Sequence, residues 1–190
     1  MKLVNLPNFI SLGRLLTVPI IVWLILSDHW FYAFVFFLAA GVSDILDGLF
    51  ARLLQDQTTI GRYLDPIADK VLLGGVIITL GIMGKIPSWL VILIVFRDFL
   101  ILGGALLILV MNRPMQIEPL MISKVNTLLT IVFVTYLLWA EAIYQSWPQI
   151  TQMWYILITV TTVASGLAYI WKWVVGIDND GKAHKTSGKS

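Results

Sequence analysis

Six long apolar runs, each closed by a short polar break, organise this chain. They extend from Phe9 to Ser27, Trp30 to Leu54, Gly61 to Gly84, Pro87 to Met111, Leu120 to Ile143 and Trp147 to Val175. At ~1.5 Å of rise per residue, each run can cross a ~30 Å hydrocarbon layer as an α-helix. A helix satisfies its own backbone hydrogen bonds there, which an open strand or loop cannot. The pattern predicts an all-α integral membrane protein with six transmembrane helices. The breaks at Ser27–Trp30, Gly84–Pro87 and Gln145–Pro148 are tight and define one face of the bundle. The longer connections, Gln55–Ile60 and Asn112–Pro119, define the other.

Composition agrees with this reading. The 190 residues are 58% hydrophobic and 13% charged, with a mean hydropathy of +0.87. The spans form one domain over residues 1–177, and the polar stretch from Asp178 to Ser190 is expected to be a disordered cytoplasmic tail. Lys2, Arg14, Arg52, Arg62, Arg113, Lys124, Lys172, Lys182, Lys185 and Lys189 lie on or near the face with the long connections, whereas only Lys85 lies clearly on the other. The positive-inside rule then puts both termini and the long-connection face in the cytoplasm. Trp30, Trp89, Trp147 and Trp154 are expected as interfacial anchors at the opposite boundary. The net charge of +2 is small and dispersed, which excludes a nucleic-acid partner. There is no cysteine, hence no disulfide. The N-terminal segment lacks a small-residue cleavage site, and Arg14 interrupts its apolar run, unlike a signal peptide. The expected location is a bacterial inner (cell) membrane, unless a presequence has been removed.

Acidic residues stand out against this background. Asp44-Ile-Leu-Asp47-Gly48-Leu-Phe-Ala51-Arg52 is followed by Gly61-Arg-Tyr-Leu-Asp65-Pro-Ile-Ala-Asp69. An intramembrane carboxylate is costly and is a functional hypothesis by default. Two of them ~4 Å apart repel by about 4 kcal/mol at an effective dielectric of about 20. Four gathered acids therefore require protonation or bound cations. A donor set made only of oxygen suits Mg²⁺ or Mn²⁺, and Ca²⁺ less well. The two histidines, His29 and His184, lie outside the motif, so zinc is excluded. On helices, Asp44 and Asp47 (i, i+3) share a face, as do Asp65 and Asp69 (i, i+4). Gly48 leaves room beside the first pair. The result is a helix–loop–helix with two opposed acidic faces. A cation transporter is the other reading of buried acids in six helices. It expects acids along a path, and Asp28 and Glu141 near the far face do not extend one.

The full pattern Asp44-x2-Asp47-Gly48-x2-Ala51-Arg52-x8-Gly61-x3-Asp65-x3-Asp69 resembles the signature of the CDP-alcohol phosphatidyltransferases. With eight fixed positions at about one in twenty each, a chance match is on the order of 10⁻⁸. Other stretches extend the likeness. Asn5-Leu-Pro7-Asn8-Phe-Ile-Ser11-Leu-Gly-Arg14 is similar to the N-terminal segment of phosphatidylglycerophosphate synthases and CMP-forming cardiolipin synthases. Arg97-Asp98 resembles the Arg-Asp of cardiolipin synthases, and Ile122-Ser123-Lys124-Val125-Asn126-Thr127 resembles a stretch of their eukaryotic type. The phospholipase-D type of cardiolipin synthase is excluded, since the chain has no His-x-Lys pair.

The resemblance implies six spans, a homodimer, and a two-metal site of Mg²⁺ or Mn²⁺ held by Asp44, Asp47, Asp65 and Asp69, open to the cytoplasm and the leaflet. It implies transfer of a phosphatidyl group from CDP-diacylglycerol to an alcohol, with release of CMP. The expected acceptor is phosphatidylglycerol, giving cardiolipin; glycerol 3-phosphate is the alternative. Asp69 is the implied base. Gly48, Ala51, Arg52 and Gly61 are the expected CDP-binding positions. Arg97, Lys124, Arg113 and Arg14 are candidates for an acceptor phosphate. Each of these four has a plainer reading: a structural pair with Asp98 for Arg97, positive-inside anchors for Lys124 and Arg113, and a snorkelling flank residue for Arg14.

Overall fold

A computed structural model describes the backbone of residues 6–54, 61–110, 121–145 and 147–187, and the side chains of 13–43, 70–104, 121–145 and 147–172. It contains α1 (Leu6–Leu26), α2 (Trp30–Leu54), α3 (Gly61–Ile82), α4 (Ser88–Val110), α5 (Met121–Ala142) and α6 (Pro148–Ser187). No strand occurs among the described residues. The helices follow the six apolar runs closely, because in each run nothing competes with the helix for the backbone. The exception is the end of α6. It runs for 40 residues, to Ser187, so the stretch from Asp178 is helical where disorder is expected. No proline follows Pro148, and extending a formed helix costs little per residue.

The three tight breaks share one device. Each helix ends with a residue in the left-handed region: Asp28 (φ 57°), Gly84 (φ 71°) and Tyr144 (φ 53°). The following amide then reaches back five residues. The N–H of His29 donates to Leu24 O at 2.9 Å, that of Lys85 to Leu80 O at 2.9 Å, and that of Gln145 to Ala140 O at 3.0 Å. This closes the carbonyls that a helix end leaves open. Glycine adopts this conformation freely, whereas a Cβ costs roughly 1–2 kcal/mol.

The chain divides into two compact units. The first comprises residues 1–91 and 131–148, the second residues 92–130 and 149–190. In the first, α1 packs on both α2 and α3. Ile21, Ile25, Ala33, Val76, Leu80, Phe133 and Leu138 are fully buried there. Backbones approach closely at glycines: a Cβ on Gly75 would lie 3.2 Å from Val18, and one on Gly81 2.7 Å from Val91. Lys85 Nζ donates to Glu141 Oε2 at 2.7 Å and sits 5.2 Å above the Trp30 ring centroid. Trp30 is therefore a buried platform rather than an interfacial anchor. Trp89 is exposed, as an anchor should be, and Trp147 stacks on Trp139 at 5.3 Å.

The second unit is held differently. Its buried residues include Ile94, Ile158 and Tyr169, but also Arg97, Asn126, Thr130, Thr162 and Ser165. Among the described residues many large apolar side chains are exposed: Trp23, Phe31, Ile78, Phe96, Leu128 and Met153, one on each helix. That inside-out distribution suits a lipid-facing surface. Among the described residues, Met121–Ala142 and Pro148–Lys172 are long and apolar enough to cross a membrane.

Gly81 supplies a test of the packing. Gly81→Ala should lower the thermal midpoint in lipid–detergent micelles, by an overpacking cost of roughly 1–3 kcal/mol against a Val side chain that is stiff at χ1. Gly74→Ala, where a Cβ meets nothing within 4 Å, should leave the midpoint unchanged or raise it. Equal midpoints for the two variants would contradict the close approach.

Candidate functional site

The acidic motif is carried by two successive helices of the first unit. Asp44, Asp47, Gly48, Ala51 and Arg52 lie on the C-terminal half of α2, and Gly61, Asp65 and Asp69 on the N-terminal half of α3. Residues 55–60 separate the two helices. At 1.5 Å per residue, Asp47 is about 10 Å from the end of α2 and Asp65 about 6 Å from the start of α3. Asp44 and Asp69 lie deeper, at about 15 Å and about 12 Å. The helical spacing expected from the sequence is present for both pairs. The side chains of these eight residues lie outside the described set.

The donor chemistry fits a hard divalent cation: four carboxylates, with no thiol or imidazole in the segment. His29, the one histidine whose side chain is described, stacks on Trp23 at 6.1 Å and is no part of it. Among the described residues no group of three His, Cys, Asp or Glu comes together.

The four phosphate candidates meet different fates. Arg14 is 4% exposed on α1, so it is not a flank residue reaching for water. Lys124, in the first turns of α5, is exposed. Arg113 lies outside the described residues. Arg97 is 3% exposed and is enclosed by α4, α5 and α6 of the second unit. Its Nη1 donates to Asp98 Oδ1 at 2.6 Å. Its Nε and Nη2 donate to Ser165 Oγ at 3.2 and 2.8 Å. Its Nη2 also donates to the Ser123 carbonyl at 3.4 Å and to the Ser123 hydroxyl. A buried arginine is tolerable because a carboxylate and several oxygens answer its charge.

A second polar cluster lies one turn further along α5. Asn126 is 2% exposed, and its Oδ1 accepts from Thr161 Oγ1 at 2.8 Å and Thr162 Oγ1 at 3.0 Å. Thr130 returns its hydroxyl to the Asn126 carbonyl at 2.8 Å. Sequence reasoning gave Ser165, Thr161 and Thr162 no role and treated Ser123 and Asn126 only as part of a resemblance. The signal was present: Ser123, Asn126 and Thr130 fall at i, i+3 and i+7 in an otherwise apolar helix, which is one polar stripe.

The described residues are helical wherever regular structure occurs, with many apolar side chains exposed, and α2 and α3 carry the acid pairs. In comparison with known proteins, residues 4–174 match the CDP-alcohol phosphatidyltransferase family. The chain belongs to that family, which sets aside the cation-transporter reading. A chloroplastic CDP-diacylglycerol–glycerol-3-phosphate 3-phosphatidyltransferase 1 of Oryza sativa subsp. japonica is 36% identical over 151 residues, 70% of this chain and 46% of that protein. A probable CMP-forming cardiolipin synthase of Drosophila melanogaster is 30% identical over 186 residues, 89% of this chain and 58% of that protein. An Aquifex aeolicus CDP-diacylglycerol–glycerol-3-phosphate 3-phosphatidyltransferase is 35% identical over 127 residues, 65% of this chain and 70% of that protein. The chain spans about half the length of the first two relatives. The relatives come from a plastid, an insect and a bacterium, so they do not single out a bacterial membrane.

The Asn126 cluster can be measured directly. A double-mutant cycle of Asn126→Ala and Thr162→Val should give a coupling of about 0.6 kcal/mol, the average for hydrogen bonds between membrane helices. Strictly additive losses of stability would show that the two side chains do not interact.

Proposed function

We propose that the protein transfers a phosphatidyl group from CDP-diacylglycerol to the hydroxyl of phosphatidylglycerol, releasing CMP and forming cardiolipin. The observation that carries the reaction type is the unbroken signature from Asp44 to Asp69, carried on two successive helices. Six spans, a motif face and both termini in the cytoplasm, and a homodimer belong to the same reading. It draws support from six helices of at least 21 residues and from the bias of Lys and Arg toward one face.

The donor's diphosphate and the departing CMP are anionic. Asp44, Asp47, Asp65 and Asp69 would hold two divalent cations, Mg²⁺ or Mn²⁺, which when bound supply the charge stabilisation that phosphoryl transfer needs. Gly48 and Ala51 present little side chain, so the nucleotide can lie against α2. Gly61 lets the chain enter α3 without crowding it. Arg52 meets a donor phosphate through its planar fork. Asp69 receives the proton of the acceptor hydroxyl as that oxygen attacks phosphorus. Lys124 offers a mobile point charge to the acceptor's phosphate, with Arg14 and Arg113 as further candidates for that contact.

The choice of acceptor rests on Arg97-Asp98 and on Ile122–Thr127, and on the fly relative, whose name is that of a cardiolipin synthase and which matches across 89% of this chain. Glycerol 3-phosphate is the second reading, favoured by the higher identity to the rice protein. A competition assay with labelled CDP-diacylglycerol and equal amounts of both acceptors decides: cardiolipin should dominate, and mainly phosphatidylglycerophosphate would transfer the assignment to the second reading.

Metal removal tests the reaction type. EDTA should abolish transfer, and Mg²⁺ or Mn²⁺ should restore it; full turnover in a metal-free assay would exclude the two-metal site. Asp44→Asn, Asp47→Asn and Asp65→Asn should lose turnover while staying folded, since removing like charge relieves crowding. Asp69→Asn should lose turnover by 10²-fold or more, on the order of a general-base contribution, while still binding CDP-diacylglycerol. Near-normal turnover in that variant would remove Asp69 from the role of base.

A further inference from the structure

Arg97 is a buried charged side chain engaged on several sides. Four of its five N–H groups are donated within the protein: Nε to Ser165, Nη1 to Asp98, and Nη2 to Ser123 and Ser165. It is 3% exposed, and Asp98 already neutralises it at 2.6 Å. A guanidinium so occupied has little left for a ligand. Its contacts are instead directed at one place, the first turn of α5, where both the carbonyl and the hydroxyl of Ser123 accept from Nη2. The same carbonyl accepts from Thr127 Oγ1 at 3.1 Å. The first turn of a helix is where fraying begins. Lys124 is the next residue, is exposed, and makes no side-chain hydrogen bond or ion pair among the described residues.

We propose that Arg97 is a positioning residue: anchored by Asp98 and Ser165, it locks the first turn of α5 through Ser123 and thereby fixes Lys124 for the acceptor's phosphate. This rests on the role given to Lys124 above. Ordering that turn in the free protein removes a cost that acceptor binding would otherwise carry. The consequence falls on one substrate only. Losing the lock raises the acceptor KM and leaves the CDP-diacylglycerol KM alone. Lysine at position 97 keeps the charge for Asp98 but lacks the fork that reaches Ser123 and Ser165 together.

The test uses the full chain in lipid nanodiscs, with phosphatidylglycerol and CDP-diacylglycerol varied separately. Arg97→Lys and Lys124→Ala should each raise the acceptor KM about tenfold, the scale of a charge-assisted contact, with the donor KM within about twofold of wild type. In the Lys124→Ala background, Arg97→Lys should add nothing further. Ser165→Ala retains the ion pair and should show a smaller shift of the same kind. Amide hydrogen exchange gives a readout independent of turnover: Arg97→Lys and Ser165→Ala should speed exchange in the first turns of α5 and not in its C-terminal half. Unchanged exchange in both variants overturns the proposal. So do multiplicative KM effects, which would make Arg97 a ligand in its own right. So does a common rise of both KM values with a fall in kcat, the sign of a merely structural role. A silent Lys124→Ala with Arg97→Lys still raising the acceptor KM overturns it while leaving phosphatidyl transfer intact. Failure of the wild-type chain to transfer to any acceptor refutes the proposed function instead, and the exchange measurement then still decides whether Arg97 locks the turn.

Discussion

A charge placed inside an apolar helical bundle must be answered by another group of the same protein, because hydrocarbon offers nothing to solvate it. Much of what is specific to this chain follows from how each charge meets that demand. Arg97 meets it with a carboxylate one residue away and with serine oxygens on two other helices. Lys85 meets it with Glu141 and the face of Trp30, at the end of the helices where water is nearer. Asp44, Asp47, Asp65 and Asp69 are all of one sign, and between them the segment carries two cations, Arg52 and Arg62, and a further acid, Asp56. Like charges so placed call for protonation or for added positive charge, which is the physical reason that a divalent cation belongs in this reading.

The same demand explains why two kinds of packing occur in one polypeptide. Between lipid-exposed helices the hydrophobic effect supplies little, since a neighbouring acyl chain is as apolar as leucine. Helices then hold together by close backbone approach or by hydrogen bonds. The first unit uses approach at Gly75 and Gly81, where Val18 and Val91 fill the space a Cβ would take. The second uses hydrogen bonds from Arg97 and to Asn126. Approach tolerates sliding along a smooth surface, whereas a fork meeting two serines has one register.

Hydropathy made the six helices legible, since six runs of more than about 18 apolar residues have few alternatives. The acidic motif was legible for the opposite reason: charge is rare there, so its spacing carries information. Less visible were features that depend on partners distant in sequence. Gly84 announces its left-handed turn; Asp28 and Tyr144 take the same conformation without a glycine to mark it. Trp30 reads as an anchor by position and is buried because Lys85 lies over it. Ser165 is an ordinary small residue of a membrane helix until Arg97, 68 positions away, is placed against it. The helical course of α6 beyond Asp178 differs from the expected disorder: a polar composition and Asn179-Asp180-Gly181 argue against a helix, but no proline stops one already formed.

The acceptor question turns on the same electrostatics. Phosphatidylglycerol brings a single phosphodiester charge and two acyl chains, so its binding needs one cation near the membrane boundary and an apolar approach. Glycerol 3-phosphate brings close to two charges and no apolar part, and calls for several cations facing water. Lys124 is one exposed cation, and its neighbours Met121, Val125 and Leu128 on α5 are apolar and exposed. Arg97, another cation of that unit, is already neutralised by Asp98. A mobile charge set on an apolar helix surface is matched to a lipid phosphodiester better than to a small dianion, and that match is what favours phosphatidylglycerol in the proposed reading.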